Sequence, residues 1–466
     1  MTAQENNPAQ AAAGTLSGAE VTGAANARMA QQQAGLVRSI GRWSLAALML
    51  NTMIGASIFG LPSLIAGYLG KYSPIGYLAA FAGVAVIAAC LAEVSSYFQE
   101  AGGPYLYTRE AFGRFAAIQV GWLTWLSRVT ACSGVANLFI TYLGAFVPAA
   151  NGRWLRAGIL AALIGVLAAV NYRGVSEGKT VSNLFTATKI GLLGLFAAGG
   201  LVALWLHPSL RATPAVVPLT WGNCFQAILL MVYAYGGFES ALIASGEASD
   251  PRKDAPVALV IAMVTATVLY VAVQVVVIYT LADPAATTKP AVDAARQFLG
   301  PVGVTLVGIG TLISVYGYLS ANMLHTPRVM FAMGERGDFP KFFARIHPQF
   351  RTPYASIVVF ATMLILFSIG GDFRWNASLS AISRLFMYGA IVAALPVLRR
   401  KRPERAMFRL PGAMFFVVVG LGFMAVLVAQ MRRKELLVLG VAFGIGLANW
   451  LWARGMNESR AEHAAG

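Results

Sequence analysis

Asn51-Thr-Met-Ile-Gly-Ala-Ser-Ile-Phe-Gly-Leu-Pro62 interrupts an apolar stretch, about 43–70, that is otherwise long enough to cross a bilayer. Gly55, Ala56, Ser57, Gly60 and Pro62 are too small, too flexible or too stiff for the middle of an ordinary spanning helix. Backbone that leaves its helix at membrane depth is tolerated only where protein buries it or where it lines a cavity. One reading is that bare amides and carbonyls here hold a small polar solute. The other is a face of small residues on which helices approach closely. The stretch alone does not choose between them.

The surrounding composition is that of a membrane protein. Of 466 residues, 58% are hydrophobic and 12% charged, with a mean hydropathy of +0.66; a soluble domain carries roughly 25% charged residues. The apolar runs are about 20 residues long and lack period-two alternation, which points to helices rather than a barrel. Twelve spans are expected, at about 43–70, 75–97, 116–146, 154–171, 182–206, 221–246, 256–282, 301–331, 354–370, 377–398, 411–430 and 435–453. Residues 1–40 are rich in Ala, Gln, Asn and Gly without periodicity and read as a disordered tail lacking a signal-peptide pattern. Placing both termini inside puts roughly twice as many Lys and Arg on the inner side as on the outer, as cytoplasmic termini require. Much of the excess lies in Arg328–Arg351 and Arg399–Arg409. The net charge of +16 therefore needs phospholipid headgroups as its partner, not nucleic acid.

A second interruption lies in the sixth span, Met231-Val-Tyr-Ala-Tyr-Gly-Gly-Phe-Glu-Ser240. Spans one and six open two halves of five spans each. An odd number per half starts the second half from the opposite side, giving an inverted repeat, and matched Gly-interrupted segments in the two halves point to a transporter's midplane site. That coincidence favours the solute-holding reading. The N-terminus of a half-helix offers unpaired N–H groups and a positive dipole end to a carboxylate; here those donors come from Ser57, Ile58, Phe59 and Gly60. Carbonyls freed at the breaks, from Met53, Ile54, Tyr233, Ala234 and Gly236, would face an ammonium group. Together they describe an amino acid zwitterion, with Tyr233 and Phe238 placed to close over it.

Ionisable residues inside a membrane are functional candidates. Lys189 lies within span five; burial disfavours the charged form of a lysine, so a proton gained and lost during a cycle is expected there, the alternative being snorkelling to the inner interface. Glu239 pairs a cation or carries a proton. Arg128, in span three, cannot lose its proton and is expected to neutralise Glu239, the alternative being a second carboxylate on the substrate. If the two neutralise each other, a neutral amino acid is expected. Arg384 is assigned to helix packing or a pore, without a defined role. Glu93 and Glu247 read as ion pairs at the inner ends of spans. Trp43, Trp122, Trp154, Trp205 and Trp452 fit interface belts. Cys90, Cys132 and Cys224 stand singly in apolar runs and read as buried small side chains. His207, His325 and His347 form no ligand cluster.

At these residues the chain resembles the amino acid–polyamine–organocation transporter family. Gly55-Ala-Ser-Ile-Phe-Gly60 is similar to the family's span-one motif, and Ala101-Gly-Gly-Pro-Tyr-Leu-Tyr107 to its re-entry into span three. Tyr233–Ser240 with Glu247-Ala-Ser-Asp-Pro-Arg-Lys-Asp-Ala-Pro256 is similar to span six and its inner loop, and Ser320–Pro353 to the end of span eight and the loop after it. The resemblance runs from about Trp43 to Pro353. It implies the leucine-transporter fold: twelve helices in a 5+5 inverted repeat with discontinuous helices 1 and 6, plus two C-terminal helices. It also implies that Met53 and the amides around Ala56, Ser57 and Ile58 hold the substrate's α-amino and α-carboxylate groups. Tyr233 becomes the aromatic gate, and the Gly236 carbonyl completes the amine site. Lys189 stands near where sodium-coupled relatives bind their ion, implying sodium independence, and Glu239 matches a position linked to proton sensing. Ala56-Ser57 departs from the family's usual Ser-Gly, which weakens any transfer of side-chain specificity.

The chain thus reads as an all-α integral membrane protein. Its expected parts are a cytoplasmic tail at 1–40, a first repeat at 41–206, a second at 221–398, two further helices at 411–453 and a cytoplasmic tail at 454–466. The expected function is proton-coupled, sodium-independent secondary transport of amino acids in the cell membrane, the inner membrane if bacterial. Amino acid exchange is the alternative within that class, and a non-transporting sensor or assembly subunit the alternative outside it. No metal-spaced cluster, Ser–His constellation or P-loop is present in the sequence, so no enzyme, cofactor or ATP-driven pump is expected.

Overall fold

A computed structural model describes residues 41–98, 103–174, 179–214, 216–239, 251–403 and 406–465. The expected N-terminal tail, Ala101 and Gly102 of the re-entry, and residues 240–250 with Ser240 and Glu247 lie outside the described residues. The described chain runs α1 Arg42–Met53, α2 Leu61–Leu69, α3 Ser73–Ser96, α4 Gly103–Phe112, α5 Arg114–Leu143, α6 Arg153–Tyr172 and α7 Lys179–Leu206. It continues α8 Trp221–Tyr235, α9 Pro251–Thr280, α10 Pro290–Glu335, α11 Tyr354–Gly370, α12 Phe373–Lys401, α13 Ala413–Val428 and α14 Arg433–Ala465.

The first apolar stretch divides where its small residues lie. α1 stops at Met53, Ile54 leaves the helical region (φ −73°, ψ 81°) and Gly55 is extended (φ −80°, ψ −177°). A 3-10 turn over Ala56–Phe59 follows, and α2 then begins with Pro62 in its first turn, where a missing N–H breaks no helical bond. The second interruption is sharper. α8 ends at Tyr235, Gly236 is extended (φ −69°, ψ 154°), and Gly237 takes the left-handed region at φ 120°. A Cβ on Gly237 would also run into the Thr52 carbonyl of α1. Only glycine satisfies both constraints.

Among the described residues, seven helical stretches are long and apolar enough to cross a membrane, including Leu61–Ser96, Lys253–Thr280 and Phe373–Lys401; Tyr354–Gly370 and Ala413–Val428 are shorter apolar helices. α5 is long but more polar, because it lies inside the bundle against α12, α10, α11 and α14. Its Ser127, Thr130, Ser133 and Asn137 are buried, and so do not meet lipid. α9 packs on α1 and α3, and α8 on α2, α3 and α12. The interior includes Met53, Ile54, Tyr235, Phe238, Tyr270 and Tyr388. The periphery is apolar too, with Trp154 83% and Trp221 80% exposed, an arrangement suited to lipid rather than water.

One local expectation is corrected. Trp122 is not a belt residue: it stacks on Phe339 at 4.6 Å and meets Trp125 edge-on at 5.5 Å, in a satellite cluster with Met333 and Phe343. Trp43, Trp154, Trp205 and Trp452 are exposed as a belt would have them. Ahead of the expected eighth span, α10 carries a helical arm from Pro290 that ends in a kink at Gly300 (φ 59°), just before Pro301. The helix α14 runs past its apolar stretch, Arg433–Gly455, through to Ala465.

Gly237→Ala is expected to destabilise the protein by at least about 1–3 kcal/mol from backbone strain alone, seen as a lower melting temperature in detergent. Gly444→Ala, with open space around its Cβ in α14, should leave the melting temperature unchanged or slightly raised.

Candidate functional site

The two breaks are tied together by one side chain. The Tyr270 hydroxyl, carried by α9, lies 3.1 Å from the Met53 carbonyl and 3.0 Å from the Ala234 carbonyl. A phenol has a single proton, so it serves the two carbonyls between them. The Met53 carbonyl also accepts the Gly55 amide at 2.8 Å, and the Tyr233 carbonyl accepts the Gly236 amide at 3.3 Å. Met53, expected to face a substrate amine, thus already accepts the Gly55 amide and shares the Tyr270 hydroxyl with Ala234. Ile54 and Gly236 are the expected acceptors whose carbonyls take no hydrogen bond among the described residues. On the donor side, the Gly60 amide bonds to the Ser57 carbonyl at 3.0 Å and leaves the expected set. The expected donors that remain lie around Ala56, Ser57 and Ile58, at the start of the turn, where the first N–H groups of a helix have no partner within it. Tyr318 of α10 lies against Gly55, its ring within 3.4 Å of where a Cβ would stand.

The two expected covering aromatics are both buried. Tyr233 points its hydroxyl at the Ala131 carbonyl of α5 (3.3 Å) and meets Phe373 edge-on at 6.2 Å. Phe238 stacks on Tyr388 at 5.6 Å, which commits its ring to α12.

Lys189 turns inward rather than toward an interface. Its ammonium donates to both the backbone carbonyl and the side-chain Oδ1 of Asn51, each at 2.8 Å, and it is buried. It therefore holds the last turn of α1, beside the break.

Glu239 sits in a nest of donors at the second break. Its Oε2 accepts the Gly237 amide at 2.7 Å and the Tyr388 hydroxyl at 2.9 Å. Its Oε1 lies 3.8 Å from Arg128 and 3.9 Å from Arg384. Arg384 further donates from Nε to the Ser127 hydroxyl at 3.1 Å. Its guanidinium packs against Gly236, where any side chain would overlap it. Arg128 extends to the Asn322 side chain of α10 at 3.5 Å.

Elsewhere, two buried carboxylates hold loops to the bundle. Glu93 of α3 receives a two-pronged bond from Arg399 (2.7 Å each) and the Leu410 amide at 2.8 Å. Asp338 receives Arg114 Nε at 2.5 Å and the Tyr105 hydroxyl, while Asn449 of α14 donates to its backbone carbonyl at 2.6 Å. Burial and the bond to Asp338 push the Tyr105 phenol up to about 12, so it remains a donor at neutral pH. Glu247 lies outside the described residues. Cys90 and Cys132 are buried and Cys224 half-buried, all as free thiols.

Tyr270, Tyr318, Tyr388 and Asn51 carry no sequence signal of their own, since each is a lone polar group in an apolar run. Arg384 did carry one, an ionisable residue within a span, but its neighbours come from other helices and distant sequence.

The bundle, with the end of α1 and the end of α8 joined at a buried hydroxyl and charged groups held among apolar helices, defines a multi-pass membrane protein. The amino acid permease family model matches residues 40–435, and the chain belongs to that family. It is similar to the methylthioribose transporter of Bacillus subtilis (strain 168), 29% identical over 395 residues, spanning 81% of this chain and 84% of the relative. It is also similar to two further proteins of the same organism. The serine/threonine exchanger SteT is 25% identical over 436 residues (92% and 98% covered), and the branched-chain amino acid permease BcaP 28% over 398 residues (81% and 84%). The protein is a transporter rather than an enzyme.

Tyr270→Phe removes the hydroxyl shared by the two breaks and leaves their carbonyls buried. A stability loss of about 1–3 kcal/mol is expected, measured by thermal unfolding in detergent; an unchanged melting temperature would show that the tie contributes nothing.

Proposed function

We propose that this permease is a secondary active transporter of amino acids, working by alternating access, coupled to protons and independent of sodium. The observation that carries the reading is the Lys189 ammonium fixed on Asn51 at the carbonyl end of α1. A protein cation already fills the place where a broken helix would otherwise attract a metal ion.

The arrangement supports a cycle. The substrate carboxylate binds the open amides at the start of the Ala56–Phe59 turn, and its ammonium binds the Ile54 and Gly236 carbonyls. While protonated, Lys189 holds α1 by charge-assisted bonds, which are roughly twice as strong as neutral ones. Losing the proton weakens that hold and lets α1 move relative to α7. Glu239, bonded to the Gly237 amide, links the second break to the charge state of the interior. In this reading the chain makes twelve crossings with both termini cytoplasmic, residues 41–206 and 221–398 form the inverted repeats of a leucine-transporter fold, and 411–453 supply the trailing helices.

Exchange of one amino acid for another is the second reading, favoured by the likeness to a relative named as an exchanger. Proteoliposome uptake separates the two. Accumulation of a labelled amino acid into empty vesicles under an inward proton gradient, falling at least tenfold in Lys189→Ala, is the expected result. Uptake confined to preloaded vesicles and indifferent to the gradient would establish exchange instead. Dependence on sodium would overturn the role given to Lys189.

A further inference from the structure

Where α6 ends and α11 begins, the two helices border an open groove of about 470 Å³, within the range of roughly 300–1,000 Å³ seen for small-molecule sites. Ala168, Ala169 and Val358 give it an apolar wall, with Tyr172 and Phe350 at its end. Arg173, which is exposed, lines the same groove, and no acidic residue does. α6 is one of the least buried of the apolar stretches long enough to cross a membrane, so the groove opens toward lipid. It also lies at the end of that stretch, the level at which a span meets the headgroups and at which tyrosines collect.

The loop that forms the end of the groove is firmly held. The Thr352 hydroxyl donates to the Tyr172 carbonyl at 2.7 Å, the His347 amide to the Thr352 carbonyl at 2.9 Å, and the Phe350 amide to His347 Nδ1 at 3.2 Å. Tyr172 meets His347 edge-on at 5.2 Å and Phe350 at 6.0 Å. Between Phe350 and Thr352 stands Arg351, exposed and left-handed at φ 55°, a conformation no other non-glycine residue takes among the described residues. Such backbone persists only where its surroundings over-determine it. A second arginine is thereby fixed next to the groove.

We propose that this groove is a site for one anionic phospholipid, its phosphate on Arg173 with Arg351 beside it, and an acyl chain along Ala168, Ala169 and Val358. Basic pockets between spanning helices at the membrane surface suit such headgroups. A plain helix-to-helix contact would use the apolar wall and not the arginines. The site shares no residue with the two breaks, and it stands on the multi-pass bundle whatever the substrate carried. Occupancy holds the end of α6 to the loop that leads into α11.

The test titrates the purified full-length protein with dioleoyl phosphatidylglycerol or dioleoyl phosphatidylcholine, which share their chains and differ in headgroup charge. Bound lipid is counted by native mass spectrometry. One phosphatidylglycerol, held at least about fivefold more tightly than phosphatidylcholine, is expected. Arg173→Gln should weaken it about fivefold, the effect of one arginine near an anionic surface, and leave phosphatidylcholine unchanged. Ala169→Trp, which fills the groove and keeps the charge, should weaken both lipids. Arg433→Gln, at an exposed arginine that opens α14, should alter neither. Hydrogen exchange in nanodiscs locates the site without any variant, with phosphatidylglycerol expected to add protection at residues 170–174 and 347–352. Equal affinity for the two lipids would overturn the proposal, as would a preference unmoved by Arg173→Gln or protection confined to other segments. Displacement of the lipid by inorganic phosphate alone would make this a free-anion site and overturn it too. A dimer that Ala169→Trp dissociates, without any lipid preference, would make the groove a contact between two copies of the chain and equally overturn it.

Discussion

Inside a bilayer no water is at hand for backbone groups that leave a helix, and each one left unsatisfied costs several kcal/mol. Two helices of this protein nevertheless come apart in its interior, so the surrounding side chains must take up what the breaks release. Tyr270 does much of this by serving a carbonyl from each break. The breaks also come close enough for Gly237 to abut Thr52. The consequence is geometric coupling: the ends of α1 and α8 share one hydroxyl, so neither can shift without changing the hydrogen bonding of the other.

The charged residues follow the same rule by different means. Lys189 uses a carbonyl at the end of α1 together with the side chain of the same residue. Glu239 draws on an amide freed by the second break, a tyrosine of α12 and two guanidiniums. α5 can carry Arg128 and a run of small hydroxyl residues because other helices surround it. Its low hydropathy, which would be a fault in a lipid-facing helix, is what an interior helix needs.

Much of this was legible in the sequence. Residues with strong local preferences announced themselves: the glycines at 55, 236 and 237, Pro62, and the apolar runs between charged loops. Lys189, Glu239 and Arg128 stood out because charge is expensive in a membrane. The partners were not legible. Tyr270 and Tyr388 are ordinary tyrosines until α9 and α12 bring them to the breaks. Arg384 was visible as a charge but not as a neighbour of Gly236, since more than a hundred residues separate them. The neighbours of Met53 were hidden for the same reason, because the groups at its carbonyl include a side chain from a helix far along the chain. Trp122 lay near a span end by count, yet α10 and the loop after it bring Met333 and Phe339 against it.

The Glu93 carboxylate has a mechanical meaning. It lies on α3, its guanidinium partner on α12, and the Leu410 amide it holds leads directly into α13. Separating α3 from α12 would strand the Glu93 carboxylate in a dry interior, at a cost of about 3–5 kcal/mol. Conformations that keep α3 and α12 together are therefore favoured by a factor of about a hundred or more, and the Leu410 amide ties the start of α13 to the same carboxylate. α3, α12 and α13 behave as a single stiff plate, held at one corner by a lock of one anion and one fork. Any movement of the two breaks relative to these helices must then occur against this plate rather than within it.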